Sequence, residues 1–122
     1  MSILDRIGMA LALAASVAFC QIAFAHASLK RASPAPGTTV QVAPTEIVLS
    51  FSEPVEEAFS TVTVKDASGK SMSSAKVRID ATDGATVHLD VPKLPSGLYT
   101  VQWVAVSHDS HRRTGVFSFT VK

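Results

Sequence analysis

The stretch that decides the fold is residues 99–106, YTVQWVAV, where large apolar side chains occupy every second position. Tyr99, Val101, Trp103 and Ala105 share one face, while the intervening positions include polar residues. A period of two is typical of a β-strand with one buried face. The stretch therefore predicts a long strand whose apolar face places Trp103 at the centre of a hydrophobic core.

Shorter segments on both sides of this stretch show the same alternation. They lie at residues 28–31, 46–51, 61–65, 76–80, 86–91 and 117–121. Prolines and glycines punctuate the intervals, and no segment after residue 26 has a convincing helical stripe. About seven short strands separated by turn signals predict an all-β fold, either a β-sandwich or a Greek-key β-barrel.

Length and charge limit the classes of function. The chain has 122 residues and a formal net charge of +1. This length fits one domain and argues against a multidomain enzyme. Nucleic-acid binding normally requires a basic stripe, and this chain has none.

The first 25 residues have the features of a secretory signal peptide. Arg6 precedes an apolar run over residues 7–19, which is shorter than the roughly 20 residues of a membrane-spanning helix. Residues 23–25, Ala-Phe-Ala, predict cleavage before His26; a rival cut two residues later would leave Ser28 first. We expect a signal peptide at 1–25 and one domain at 26–122.

Cys20 raises the alternative of a lipoprotein, in which an acylated cysteine becomes the first residue. The bulky Phe19 before it does not fit that motif, so Cys20 is interpreted as part of the discarded apolar run. No other cysteine is present, and residues 26–122 therefore contain neither a disulfide nor a thiolate metal site.

A histidine at the new N-terminus would offer two nitrogen donors to one metal ion. The α-amine and the imidazole Nδ1 of His26 can close a six-membered chelate ring, and the amine has an ordinary pKa of about 7.7–8.0. Planar nitrogen donors with further N or O ligands favour Cu(II). The alternative is that a histidine follows the cleavage site by chance.

A second group of candidate ligands follows the longest predicted strand. Asp109 and His111 are separated by one residue, so an extended strand would project both from one face. Together with His26 they would complete an N,N,N,O set around one copper ion; alone they would form a solvated strand end. His108 would point the opposite way, as a solvent-facing residue or a further ligand.

Glu53 and His88 are two further side chains with groups that can bind a metal ion. Glu53 precedes Pro54, which ends the strand at 46–51, and this places Glu53 at the rim. There it is either a weak metal ligand, a hydrogen-bond acceptor beside a bound ligand or water, or simply a charged strand-end residue. His88 lies among polar alternates and is predicted to face solvent.

The residues from 26 onward resemble the CopC family of periplasmic copper-resistance and copper-carrier proteins. The resemblance rests on His26, on 33–37 (SPAPG), on 49–54 (LSFSEP) and above all on 101–115, which contains Trp, Asp-x-His and Gly in that order. It implies a Greek-key β-barrel of cupredoxin-like or immunoglobulin-like character. It also implies a Cu(II) site formed by the amine and imidazole of His26 with Asp109 and His111, and Glu53 close by.

The chain departs from this family pattern in mid-chain and beside the site. Some members hold Cu(I) in a methionine-rich segment, but residues 66–80 contain only Met72. We therefore expect one Cu(II) per chain and no Cu(I) site of that kind. His108 stands where a small residue is expected. Arg112 and Arg113 either disfavour a second cation or steer an acidic partner.

The sequence is compatible with three functions. The first is a monomeric periplasmic Cu(II) carrier, without catalytic residues or membrane insertion after cleavage. Delivery of copper to an inner-membrane transporter of the CopD type is a further expectation of this function. The second is a copper oxidase or mono-oxygenase with an N-terminal histidine brace, disfavoured because so small a domain lacks loops for a substrate surface. The third is an exported interaction module whose histidines are incidental.

Overall fold

The fold is a pair of β-sheets, seen in a computed structural model that describes residues 27–73 and 75–122. A short 3₁₀ turn at Glu57–Phe59 follows the third strand. Within the described ranges, no helix has the length and apolar character needed to cross a membrane. The strands are β1 (Leu29–Ser33), β2 (Thr39–Val40), β3 (Glu46–Phe51), β4 (Thr61–Lys65), β5 (Arg78–Ile79), β6 (Thr86–Asp90), β7 (Gly97–Val106) and β8 (Arg112–Val121).

Each sheet has four strands, in the orders β1-β3-β6-β5 and β2-β8-β7-β4. Neighbouring strands are antiparallel except β2, which pairs parallel with the end of β8. The chain crosses between the sheets several times, and the two sheets do not close into a barrel. The predicted all-β sandwich is confirmed.

The core lies between the inner faces of the two sheets. The alternation predicted for the longest strand is confirmed, because Tyr99, Val101, Trp103 and Ala105 are all buried. From the opposite sheet, Phe51 packs its ring edge-to-face against Trp103, with centroids 5.1 Å apart and an interplanar angle of 67°. This geometry is favoured by the ring quadrupoles. Trp103 is thus the central aromatic of the core, as the sequence pattern predicts.

The largest differences from the prediction concern three strands. β8 begins at Arg112 rather than at 117, because its first half pairs with the second half of β7, although the residues of β8 there are mostly exposed. β5 is reduced to Arg78–Ile79. The two-residue strand Thr39–Val40 was not predicted, since so short a segment shows no alternation.

Gly115 leaves the space that the indole of Trp103 occupies. The two residues are cross-strand partners in the pairing of β7 with β8. A Cβ atom on Gly115 would lie 2.4 Å from two ring carbons of Trp103, well inside van der Waals contact. The absence of a side chain at position 115 is therefore a packing requirement of the tryptophan.

We expect Gly115→Ala to lower the free energy of unfolding by about 1–3 kcal/mol, because the methyl group overpacks the indole and displaces it. Urea denaturation followed by tryptophan fluorescence measures both the stability and the environment of Trp103. The control is Val116→Thr, a β-branched replacement at the exposed next position of β8, which should stay close to wild type. Equal stability of Gly115→Ala and wild type would contradict the packing argument.

Candidate metal centre

The hairpin loop between β7 and β8 carries the predicted Asp-x-His pair. The loop spans residues 107–111 and is closed by the Ser107 N–H, which donates to the His111 carbonyl at 3.0 Å. The Ser110 N–H donates back to the Ser107 carbonyl at 2.9 Å, and Ser110 has a φ of 69°. The strand does not continue through the pair, so the expectation that alternation brings Asp109 and His111 to one face was wrong. The turn brings them together instead.

Inside this loop the two predicted ligands contact each other directly. Asp109 Oδ2 lies 2.9 Å from His111 Nδ1, and Asp109 Oδ1 accepts a hydrogen bond from the Ser107 hydroxyl. Ser107 is buried, whereas the side chains of Asp109 and His111 are 40% and 53% exposed. The pair is therefore assembled at the surface on a buried anchor.

Hydrogen bonding makes Asp109 an unusually acidic carboxyl group. The Ser107 hydroxyl, and after it the His111 side chain and N–H, lower the Asp109 pKa to about 2. The group is a carboxylate at any physiological pH. The loop thus presents an anionic oxygen, Asp109 Oδ2, and an imidazole nitrogen, His111 Nδ1, 2.9 Å apart. One ion bound by both atoms would replace the proton that they share.

Glu53 lies on a segment that runs beside this loop. The segment follows β3, and Val55 forms an antiparallel bridge with Ser107. Glu53 is half-buried, and its Oε2 is enclosed with no hydrogen-bond partner within the described part of the chain. A buried carboxylate oxygen is costly unless something pairs with it. A bound cation, or a ligand or water held by one, fits that requirement.

The segment that carries Glu53 is also tied to the start of the described chain. The Ser28 N–H donates to Ser52 Oγ at 2.8 Å, and the Ser52 N–H donates to the Ser28 carbonyl at 2.8 Å. Ala27, immediately after His26, is fully buried. The signal peptide predicted at 1–25 and the predicted ligand His26 lie outside the described residues.

The structure thus brings Asp109 and His111 into contact and places the Glu53 segment next to them. His108 contacts a different residue: its exposed imidazole has Nε2 3.7 Å from Glu56 Oε1. Across 27–73 and 75–122, no cluster of three histidine, cysteine or acidic side chains is arranged to hold a metal ion. The full ligand set, with His26, remains a prediction.

His88 belongs to a different surface, on strand β6. It is partly exposed, with Nδ1 3.4 Å from Glu46 Oε2 and Nε2 3.8 Å from Asp80 Oδ2. Arg78 completes this charged cluster by pairing with Glu46 and with Asp90. These contacts with carboxylates account for the histidine without a metal ion, which makes His88 a suitable control position.

Ser107 is the residue of this site that the sequence analysis did not identify. Its signal was available: it is the fifth member of the alternating set that begins at Tyr99 and runs through Ala105. A serine in that register is predicted to point into the core. A buried hydroxyl needs a partner, and the next acidic residue in the chain is Asp109.

Comparison with known protein families gives a match over most of the chain. A family model described as the CopC domain matches residues 29–122. Copper resistance protein C of Escherichia coli is 39% identical over 129 aligned residues, with 100% of each chain covered. Copper transport protein CutJ of Bacillus subtilis (strain 168) is 32% identical over 99 residues and covers 80% of this chain, but this chain spans only 18% of its length.

A solved structure shows that the likeness extends to the fold. The crystal structure of PcoC, described as a methionine-rich copper resistance protein from Escherichia coli, superposes with a TM-score of 0.69. The two sequences are 37% identical, and the match covers 80% of this chain and 100% of that one. The two-sheet sandwich is therefore shared with a solved relative.

We expect the Asp109 carboxyl of the copper-free protein to titrate at about 2 in an NMR pH titration. Ser107→Ala should raise this pKa towards the ordinary 3.8, because the hydroxyl is the largest cause of the shift. Since the folded pKa is depressed, its stabilising effect is present above about pH 4 and is lost as pH falls through about 2. An unchanged pKa in Ser107→Ala would contradict this assignment.

Proposed function

The chain belongs to the CopC family, and from this premise we propose that it is an exported, non-enzymatic carrier of copper. In this proposal it binds one Cu(II) per chain through the amine and imidazole of His26, Asp109 and His111. Glu53 lies close to the ion, as a weak ligand or as an acceptor for a bound water. The protein works in the periplasm and passes copper to an inner-membrane transporter.

One observation carries this proposal: backbone contacts join all the segments that bear the predicted ligands. Ser28, two residues after His26, is hydrogen-bonded to Ser52, next to Glu53. Val55 on the same segment is bridged to Ser107, at the start of the loop with Asp109 and His111. Three parts of the chain that are distant in sequence are thus held together beyond the ends of β3 and β7.

The available donors favour Cu(II) over Cu(I). Met72 is the sole methionine after residue 25, and it packs partly buried against the core. Cu(I) prefers several soft thioether or thiolate ligands, and this chain has no cysteine after Cys20. The relative described as methionine-rich differs in that respect. Imidazole, amine and carboxylate donors suit the harder Cu(II) ion.

The Asp109–His111 contact also suits a metal site chemically. In the metal-free protein the contact fixes the orientation of the imidazole beside Asp109, and one ion bound by both residues would take the place of their shared proton. Asp109 is already deprotonated, so copper need not displace a proton there. Proton release on binding then falls to His26 and His111. The Ser107 hydroxyl donates to Asp109, whose pKa of about 2 makes it too weak a base to activate the hydroxyl as a nucleophile.

The first test is copper binding by protein that starts at His26. We expect uptake of one Cu(II) per chain with a type-2 EPR spectrum, and no comparable affinity for Cu(I). A variant with one extra residue before His26 should bind far more weakly, because the amine that closes the chelate ring becomes an amide. Isothermal titration with a competing chelator measures both affinities.

His88→Ala is the matched control, because the imidazole that it removes lies on β6 and contacts Glu46 and Asp80. It should bind copper as the wild type does. If the extended chain and the wild type bind equally well, the amine is not a ligand. Copper-dependent turnover of a polysaccharide or a phenol would instead favour an enzyme.

We expect the Cu(II) affinity to fall as pH is lowered, because protons compete for the ligand nitrogens. The decline should begin near pH 8, where the amine titrates, and steepen below about 6.5, where imidazoles titrate. Two imidazoles and one amine predict a limiting slope of about three protons per copper. Asp109→Asn should weaken binding at every pH and keep this slope. A pH-independent affinity would exclude imidazole ligation.

A further inference from the structure

We propose that Ser107 is a positioning residue for the copper site, which sets the orientation of Asp109 and the path of the loop to His111 before any metal binds. The inference rests on the proposed function, because it concerns how the same site is assembled. It assigns no contact between Ser107 and the metal.

The side chain of Ser107 is placed to orient Asp109. Ser107 is only 2% exposed, and its hydroxyl donates to Asp109 Oδ1. The other carboxylate oxygen, Oδ2, contacts His111 Nδ1. With one oxygen tied to a buried anchor and the other to the imidazole, rotation about the Asp109 side chain is restricted on both sides.

Ser107 also fixes the backbone of the loop. Its N–H donates to the His111 carbonyl at 3.0 Å, and its hydroxyl lies 3.3 Å from the same oxygen. Through its bridge to Val55 it joins the loop to the segment that carries Glu53. One buried residue therefore touches both predicted loop ligands and the neighbouring segment.

We expect this arrangement to raise the metal affinity, because the Asp109 side chain is already ordered when the protein folds and metal binding does not have to order it. An exposed carboxylate without the serine would sample several rotamers, and binding would have to restrict it. Partners that orient metal ligands commonly change metal affinity by about 10–100-fold when they are removed. Loss of the Ser107 hydroxyl should have an effect of that size.

Ser60 provides a matched control for a purely structural role. It is the other buried polar residue among those described; it precedes β4, and its hydrogen bond reaches the end of β7. Its hydroxyl accepts a hydrogen bond from the Val106 N–H at 3.1 Å and contacts neither Asp109 nor His111. Ser60→Ala thus removes a buried hydroxyl close to the site without touching the ligands.

The experiment compares Ser107→Ala, Ser60→Ala and wild type, each starting at His26, for Cu(II) dissociation constant, EPR parameters and the thermal midpoint of the copper-free protein. We expect Ser107→Ala to weaken Cu(II) binding about 10–100-fold and to change the EPR g and hyperfine values. Ser60→Ala should keep the wild-type affinity and spectrum. Both variants should show lower thermal midpoints than wild type, because each loses a buried hydrogen bond.

A double-mutant cycle identifies the route of the effect. In the Asp109→Asn background, the further change Ser107→Ala should cost less affinity than it does in wild type, because the carboxylate it orients is absent. Additive effects would overturn the proposal, as would wild-type affinity and spectrum in Ser107→Ala. If wild type itself fails to bind Cu(II), the proposed function falls and this inference with it. Binding by wild type with no effect of Ser107→Ala refutes the inference alone.

Discussion

The antiparallel pairing of β7 with β8, continuous from Gly97–Val121 to Val106–Arg112, is the constraint on which the rest of the structure depends. On its inner side it sets Trp103 opposite Gly115 and so leaves room for the indole in the core. At its end it leaves five residues to reverse the chain, which is why the candidate ligands are held in a tight turn. The same hydrogen-bonded ladder therefore fixes both the packing and the site.

Much of the fold was predictable because burial imposes a period of two. The inward residues of β3 and β7 are apolar at every second position, and the structure buries them as predicted. Where burial is weaker the pattern is lost: the first half of β8 is largely exposed and its pairing with β7 decides its conformation. Thr39–Val40 becomes a strand through its contact with β8, a long-range effect that no local pattern contains.

The site was less predictable than the fold. Asp109 and His111 were identified from their spacing, but the assumed strand geometry was wrong, because Val106 ends β7 and a turn with Ser110 in the left-handed region follows. The burial of Ser107 continues the alternation of β7, but the hydrogen bond from its hydroxyl to Asp109 depends on that turn. The enclosure of Glu53 Oε2 depends on packing among segments that are far apart in sequence. The participation of His26 in this site is a prediction.

The exposure of the Asp109–His111 pair has a consequence for exchange kinetics. An ion enclosed on all sides leaves only after its cage opens, so its release is slow and independent of the acceptor. Here the anchor is buried, but the side chains of Asp109 and His111 are 40% and 53% exposed. If the proposed copper site forms on them, an incoming donor would reach the ion before the outgoing one departs. The proposal therefore implies associative transfer, with a rate that rises with the concentration of the acceptor.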